Sequence, residues 1–142
     1  MIERVNVQVF IFKRNPKFQL LILKRTAERG GWYQPISGGI EKNETTLEAI
    51  KREIFEETGI ENIKNFYDLN YNFTFTAPIS KKKMMDICFA IEIDNLIEIR
   101  LSQEHEKYIW CTEKQAKELL KWKYNLIALD ILLEILKREQ KL

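Results

Sequence analysis

Three glutamates, Glu53, Glu56 and Glu57, have the spacing in this 142-residue chain that most clearly indicates chemistry. Intervals of three and four residues place side chains on one face of an α-helix, so the three carboxylates should lie side by side. Neighbouring like charges on a helix repel by about 0.2–0.5 kcal/mol per pair, which gives a purely structural helix no advantage. Because hard divalent cations prefer oxygen ligands, this acidic face is predicted to hold metal ions.

The helix that carries these glutamates has clear start and stop signals. Thr45 with Glu48 three residues later forms a capping-box pattern, and Gly59 suits the left-handed position just past a helix end. An apolar stripe about a quarter turn from the acidic face should bury the helix against a core. This stripe consists of Leu47, Ile50 and Ile54. The acidic face is therefore predicted to border the buried face.

Runs rich in β-branched and aromatic residues predict strands on both sides of this helix. These runs are residues 5–12, 18–23, 66–76, 84–93 and 108–111. The turn signal Asn15-Pro16-Lys17 should join the first two runs in a hairpin, and residues 24–31 should form an exposed loop. Helices are expected over residues 113–120 and 125–138. The order of strands, helix, strands and helices predicts an α+β fold in which helices cover a mixed sheet.

Length and composition favour one domain over residues 1–142, with 45% hydrophobic and 31% charged residues. A net charge of +2 argues for neither a nucleic-acid partner nor a membrane surface. The apolar stretch 126–136 is too short to span a bilayer, so we expect it to be deeply buried or to form a homodimer interface. Cys88 and Cys111 have no metal-binding spacing, and no signal peptide is evident; a cytoplasmic location is expected.

The wider pattern around the glutamates resembles the Nudix box of the Nudix hydrolase family. Gly38 is followed after five residues by Glu44, and after seven more by Arg-Glu-Ile-x-Glu-Glu-x-Gly-Ile at residues 52–60. The flanking order of strands and the tail helix are also similar to this family's α/β/α sandwich with its central mixed sheet. The resemblance implies hydrolysis of a phosphoanhydride bond in a nucleoside diphosphate linked to another group. It also implies Mg²⁺ as the cofactor, with Mn²⁺ as a substitute.

By this resemblance, Glu53, Glu56 and Glu57 are metal ligands, and a backbone carbonyl at Ser37, next to Gly38, completes the set. Metal ions neutralise phosphate charge and lower the pKa of a bound water. The same resemblance implies that Glu53 and Glu56 take part in catalysis.

Arg52 is expected to hold a carboxylate of the box in place, and Glu44 to fix the preceding loop. The general base differs among family members: some use a glutamate of the box and others a glutamate on a later loop. Glu104 is the later candidate here, as a base or as an additional metal ligand. The Glu-His-x-x-Tyr-x-Trp segment at residues 104–110 resembles the dATP and dihydroneopterin triphosphate pyrophosphohydrolase branch.

The segment before the box bears on the substrate. Trp32-Tyr33-Gln34 resembles the same branch, whereas Pro35 is commoner in the dinucleoside polyphosphate and RNA pyrophosphohydrolase branches. Trp32 and Gln34 are predicted to contact substrate, with Trp32 either partly buried or stacked on a base. Lys24 and Arg25 are predicted phosphate contacts.

The sequence also bears on the other aromatic residues and the single histidine. Resemblance to the dinucleoside polyphosphate and RNA pyrophosphohydrolase branches would imply a base-stacking tyrosine some way beyond the box, whereas Tyr67 and Tyr71 lie rather close to it and Phe73 and Phe75 are only approximate substitutes. The remaining tryptophans are expected in the core, and the histidine at a surface or strand edge. These last residues are Trp110, Trp122 and His105.

Three functions follow as alternatives. The first is a pyrophosphohydrolase that converts a nucleoside triphosphate, a related deoxynucleotide or a pterin triphosphate to a monophosphate and pyrophosphate. The second has the same chemistry on a dinucleoside polyphosphate or a 5′-triphosphorylated RNA. The third is a catalytically silent nucleotide-binding module, which the retained glutamates disfavour. A small nucleotide is the expected partner, with no sequence-specific binding of nucleic acid.

Overall fold

A computed structural model describes residues 1–95 and 97–140. These residues form seven strands and three α-helices in the order β1 Arg4–Lys13, β2 Gln19–Arg25, β3 Tyr33–Gln34, β4 Ile36–Gly39, α1 Thr46–Thr58, β5 Asn65–Thr76, β6 Lys83–Glu92, β7 His105–Cys111, α2 Glu113–Leu119 and α3 Lys123–Gln140. The predicted α+β class with a mixed sheet is confirmed. The predicted loop over residues 24–31 is shorter, because Lys24 and Arg25 extend β2 and Ala27–Arg29 forms a 3₁₀ turn.

The seven strands belong to one sheet whose main path is β3-β2-β1-β6-β5. β1 and β6 are parallel and pair from Arg4 with Met84 to Phe12 with Glu92, whereas the other pairings are antiparallel. The predicted hairpin of β1 and β2 is present. β1 therefore lies near the centre of the sheet, with neighbours on both edges.

The sheet divides beyond this hairpin. β1 pairs with β2 only over residues 11–13, and its earlier residues 6–9 pair with β4 instead. β2 in turn pairs with β3, so the chain passes from one half of the sheet to the other at Pro35, between Gln34 and Ile36. The division brings residues of both halves to one opening.

The two faces of β1 pack against different helices, because side chains alternate along a strand. Val7, Val9 and Ile11 share a core with buried residues of α1, whereas Phe10 and Phe12 share a second core with α3. Burying each large apolar side chain stabilises the fold by roughly 1.5–3 kcal/mol. The predicted stripe of α1 is narrower than expected, since Ile50 and Ile54 are buried but Leu47 is 47% exposed.

Helix α1 begins and ends as its sequence predicts. The Thr45 side chain accepts a hydrogen bond from the Glu48 backbone, and the Glu48 side chain accepts one from the Thr45 backbone. Gly59 has a φ of 78° and closes the helix in the left-handed conformation. A cap of this kind contributes about 0.5–2 kcal/mol, so the register of the acidic face is well defined.

The tail helix α3 buries one side against the sheet, through Ala128, Leu129, Leu132 and Leu136. Ile127 on the same helix is 37% exposed. In the part of the chain that the structure describes, no helix has the length and apolar character needed to cross a membrane.

Candidate active site

A cleft of about 470 Å³ opens where the sheet divides. Its walls come from the first half of the chain, from α1, from the segment around β7 and from the start of α3. The lining residues include Arg4, Asn6, Gln8, Arg25, Arg29, Trp32, Gln34, Ser37, Gly38, Glu53, Glu56, Glu57, Phe75, Asp86, Glu104, His105, Trp122, Tyr124 and Asn125. Thus all the predicted catalytic and metal-binding residues except Arg52 reach one cleft.

Arg52 lies beside the cleft and connects the acidic helix to the preceding loop. Its guanidinium donates to Glu44 Oε2 at 2.6 Å and Oε1 at 2.9 Å, and to the Gly39 carbonyl at 2.8 Å. It also donates to Glu53 Oε1 at 2.7 Å and to Glu56 Oε2 at 3.2 Å. The hydrogen bonds of this guanidinium lower the pKa of Glu44 to about 2. The arginine therefore fixes two of the three motif carboxylates relative to the loop.

Glu53 occupies the space that a side chain at Gly38 would need. A Cβ built on Gly38 would collide with the Glu53 carboxylate, so the carboxylate lies against bare backbone of β4. Burial raises the pKa of Glu53, and the hydrogen bond from Arg52 opposes this rise. Gly38 is required here for close approach.

Glu57 is held from the segment that precedes and begins β7. Its Oε2 accepts a hydrogen bond from Ser102 Oγ at 2.9 Å and lies 2.8 Å from His105 Nδ1. Burial alone would raise the pKa of Glu57, but its contacts with His105, Glu104 and Ser102 outweigh burial and lower it. The hydrogen bond with Glu57, together with partial burial, raises the pKa of Glu104.

A chain of polar contacts indicates which ring nitrogen of His105 carries the proton. The indole Nε1 of Trp32 donates to Gln34 Oε1 at 3.2 Å, which identifies that atom as the amide oxygen. The amide nitrogen of Gln34 then donates to His105 Nε2, 3.1 Å away. The proton of a neutral His105 that accepts this bond is on Nδ1, which is buried 2.8 Å from Glu57 Oε2 but makes no hydrogen bond of good geometry.

The expectation of a surface or strand-edge histidine is therefore incomplete. His105 is 6% exposed and contacts a residue of the motif. Its position next to Glu104, the candidate base, was the one signal in the sequence that pointed to such a role. The partner Glu57 lies 48 residues earlier, so local sequence patterns do not show the contact.

The predicted substrate contacts are only partly brought together. Arg25, Trp32 and Gln34 line the cleft, and the Arg25 guanidinium lies 4.7 Å from the centre of the Trp32 ring. Lys24 lies outside the cleft, where its Nζ forms a 2.6 Å ion pair with Glu106. Arg29, which the sequence analysis did not single out, lines the cleft and lies 3.5 Å from Glu104.

The aromatic residues also differ from expectation. Trp122 was expected in the core, but it is half-buried, lines the cleft and contacts Trp32 edge-on. Phe75 lines the cleft as well, whereas the Tyr67 hydroxyl donates to Glu139 at 3.0 Å, outside it. Trp110 is half-buried and packs against the core.

The donor set of the motif fits a hard cation, although it is not a closed cage. Within residues 1–95 and 97–140, no group of three or more carboxylate, imidazole or thiol side chains converges as a ready-made metal site. The physical reason is that Arg52 draws Glu53 and Glu56 to itself while His105 and Ser102 hold Glu57. All three carboxylates nevertheless border one cleft beside the backbone of Gly38.

Sheet, acidic helix and cleft together define a Nudix-type fold and site. The chain belongs to the NUDIX domain family, since the family model for the NUDIX domain matches residues 3–130. Enzymes of this family generally use divalent metal ions.

The chain is also similar to curated proteins. The bis(5′-nucleosyl)-tetraphosphatase of Mus musculus is 34% identical over 115 residues, which cover 77% of this chain and 74% of the mouse protein. An octanoyltransferase of Myxococcus xanthus is 29% identical over 107 residues, or 75% of this chain. The chain spans only 30% of the length of that second protein.

Solved structures show the same fold. A NUDIX hydrolase of Listeria monocytogenes has a TM-score of 0.81 at 27% identity, with 96% of this chain and 97% of that chain covered. The dihydroneopterin triphosphate pyrophosphohydrolase of E. coli has a TM-score of 0.75 at 21% identity, with 92% and 96% covered. The second likeness supports the fold alone.

Proposed function

We propose that this protein is a Mg²⁺-dependent pyrophosphohydrolase. Its substrate would be a nucleoside triphosphate, a related deoxynucleotide or a pterin triphosphate, and its products a monophosphate and pyrophosphate. The observation that carries this proposal is that Glu53, Glu56 and Glu57 of the motif line one cleft together with Glu104. Arg25 and Arg29 line the same cleft, and Arg29 lies 3.5 Å from Glu104.

Glu53, Glu56, Glu57 and the Ser37 carbonyl would hold the metal, with Glu104 as the additional oxygen donor or the base. Bound Mg²⁺ would neutralise phosphate charge and make water more acidic. Mn²⁺, which accepts the same oxygen donors, would substitute for it. The donor chemistry supports this set, because each residue offers oxygen and borders the cleft.

Other residues of the chain would bind the phosphates, position the glutamates and accept a proton. Arg25 and Arg29 bind phosphate oxygens, and Arg52 keeps Glu53 and Glu56 in place. Water attacks a phosphorus atom, the bond from that phosphorus to the bridging oxygen breaks, and Glu104 accepts the proton of the water. Glu104 suits this role because Arg29 and Ser102 anchor it beside Glu57.

Incubation with a panel of nucleotides and Mg²⁺, followed by chromatography of the products, tests the activity. We expect a monophosphate and pyrophosphate in equal amounts. Glu57→Gln should reduce the rate by roughly 10²-fold or more, since the loss of a predicted metal ligand would weaken binding of the cation that neutralises phosphate charge. The matched control is Glu61→Gln, an exposed carboxylate just past α1, which should retain wild-type activity. Absence of phosphate products from the whole panel would contradict the proposal.

A second candidate, hydrolysis of a dinucleoside polyphosphate, is favoured by the relatives named tetraphosphatase from mouse and from Rattus norvegicus. An RNA 5′ end is the other substrate of this kind, and a short match to an RNA pyrophosphohydrolase of Bartonella henselae supports it. Diadenosine tetraphosphate would give ATP and AMP, so product analysis separates the candidates.

The chain would act as a single domain with a small nucleotide as its partner. Buried free thiols at Cys88 and Cys111 agree with the predicted reducing cytoplasm. A homodimer would use the exposed side of α3, and light scattering of the purified protein measures whether it forms.

A further inference from the structure

The part of the cleft that β1 and β6 line contains a buried carboxylate that the hydrolytic residues do not use. Asp86 on β6 is 3% exposed and lines the cleft. Asn6 Nδ2 donates to its Oδ1 at 2.8 Å, and Gln8 Nε2 donates to its Oδ2 at 3.2 Å. A carboxylate has about four lone-pair positions, so each oxygen keeps room for one more donor.

Two further polar atoms of residues that line the cleft have unmet hydrogen-bonding capacity. Among the residues that the structure describes, Gln8 Oε1 and Asn125 Oδ1 are buried without a hydrogen-bond partner. Gln8 is 2% exposed and Asn125 is 4% exposed, and both line the cleft. Leaving a buried polar group unsatisfied costs roughly 1–3 kcal/mol, so such groups in a cleft indicate a ligand that completes them. All of these atoms accept hydrogen bonds.

Flat aromatic rings form the neighbouring wall. Tyr124 is stacked on Phe73 with ring centres 4.1 Å apart and an angle of 20°, and it lies nearly parallel to Trp122. Phe75 completes this aromatic wall, with its ring centre 5.4 Å from that of Tyr124. A planar heterocycle fits beside such rings, because stacking on aromatic side chains contributes about 1–3 kcal/mol per base.

The charged residues of the cleft predict how the phosphates and the ring of the ligand are oriented. Arg25 ends β2 and Arg29 lies 3.5 Å from Glu104, whereas Asp86 lies on β6 in the other half of the sheet, and exposed Arg4 also lines the cleft. In the proposed function, cations on the motif glutamates hold the phosphates beside Arg25 and Arg29. The Asp86 carboxylate is then left for an uncharged ring that donates hydrogen bonds.

We propose that Asp86, with Gln8 and Asn125, recognises a ring that presents an N–H and an amino group side by side. This is the 2-amino-4-oxo edge that guanine and pterin share. A carboxylate binds such an edge through two parallel hydrogen bonds. Adenine offers a ring acceptor next to its amino group, and hypoxanthine lacks the 2-amino group, so both leave acceptors of this subsite unmatched. The assignment deepens the proposed function and rests on it for the triphosphate.

Substrate selectivity tests this assignment. kcat/KM is measured for GTP, ITP, ATP and a dihydropterin triphosphate with wild type, Asp86→Asn and Glu92→Gln. GTP and ITP differ only in the 2-amino group. We expect wild type to prefer GTP, the pterin or both over ITP and ATP by roughly 10- to 100-fold, as a paired polar contact discriminates by 1–3 kcal/mol. The relative rates of GTP and the pterin distinguish the two sources of this edge.

Asp86→Asn should lower kcat/KM for GTP and the pterin by roughly 10- to 100-fold and lower it less for ITP, which offers only the ring N–H, so most of the preference should be lost. Glu92→Gln is the matched control. Glu92 also lies on β6 and is 2% exposed, but it pairs with Arg14 and does not line the cleft. This variant should keep the wild-type preference. Equal rates with GTP and ITP in wild type, or an equal loss on all substrates in Asp86→Asn, would overturn the assignment.

Calorimetric binding of GMP, IMP and neopterin monophosphate separates this proposal from the hydrolytic one, because none of the three has a phosphoanhydride bond. Tighter binding of GMP or neopterin monophosphate than of IMP, lost in Asp86→Asn, supports the subsite even where no substrate is cleaved. Equal binding of all three by wild type would contradict it even where hydrolysis occurs.

Discussion

Nδ1 of His105 lies 2.8 Å from Oε2 of Glu57, and this contact links the last glutamate of the motif to β7. Ser102 donates to the same oxygen, and Gln34 occupies the other nitrogen of the ring. The Glu57 carboxylate is therefore oriented by a segment that is distant in sequence. His105 acts as a positioning residue, because it touches Glu57 rather than the reacting atoms.

Replacement of His105 by phenylalanine should disturb this alignment while keeping the ring volume. We expect the Mg²⁺ concentration for half-maximal activity to rise roughly 10- to 100-fold, as for other residues that orient metal ligands. His105→Asn retains an amide that donates to Glu57 and should recover part of the affinity. Titration of activity with Mg²⁺ measures this, and an unchanged requirement in both variants would leave His105 a packing role only.

Arg52 should not tolerate replacement by lysine. The guanidinium makes hydrogen bonds to Glu44, Glu53 and the Gly39 carbonyl, which a single ammonium group cannot reproduce. We expect Arg52→Lys to lower the free energy of unfolding by about 1–3 kcal/mol and activity at least tenfold. Urea denaturation and steady-state rates provide the measurements. Lys51→Arg, an exposed neighbour on the same helix, is the control and should change neither.

Gly38 and Ser37 form a matched pair for testing the backbone of the motif. The Cβ of Gly38→Ala would displace the Glu53 carboxylate, so activity should fall by about 10²-fold with the circular dichroism spectrum retained. Ser37→Ala keeps the carbonyl predicted to bind metal and should remain near wild-type activity. A large loss in Ser37→Ala would assign the role to the hydroxyl instead of the carbonyl.

The ion pair of Glu92 with Arg14 predicts a defined pH dependence of stability. Hydrogen bonding to Arg14 outweighs burial and lowers the pKa of Glu92 below its ordinary value of 4.5. A carboxylate with a lowered folded pKa stabilises the fold above its unfolded pKa, and this contribution is lost as the pH falls through the folded value.

The melting temperatures of wild type and Glu92→Gln should therefore differ most near pH 7. The difference should shrink below pH 4.5, where Glu92 becomes protonated in both the unfolded and, finally, the folded protein. Differential scanning calorimetry from pH 3 to 7 (an interval of about four units around the ordinary carboxyl pKa) tests the direction. A difference that grows toward low pH would contradict the assigned ion pair.

The sequence predicts those features of the site whose causes are local. The capping box at Thr45, the end at Gly59 and the spacing of the glutamates all act within a few residues, and the structure confirms the helix they define. Five of the seven strands were also recognisable, because alternation and β-branched content are local properties. β3 and β4 were not predicted, because both are short and Pro35 separates them. Where the ends of the predicted strands differ, they do so by one to three residues.

The contact of Asp86 with Asn6 and Gln8 in the cleft could not be predicted in the same way. Asp86 reads as one polar residue within an apolar strand, and its partners Asn6 and Gln8 lie 80 and 78 residues away. Their meeting depends on the parallel register of β1 and β6, which no short pattern encodes. Trp122 was expected in the core, since nothing local shows that it lies just before α3 and lines the cleft.

The alternation of side chains along β1 has an evolutionary consequence. Odd-numbered residues Val7 and Val9 support the helix that carries the acidic residues, while even-numbered Asn6 and Gln8 face the opposite direction. Substitutions at Asn6 or Gln8 can therefore alter which ring is bound without displacing the glutamates of α1, which act on the phosphates. Because the two faces of β1 can change independently, descendants of one ancestor can diverge in substrate specificity while they inherit the same hydrolytic residues.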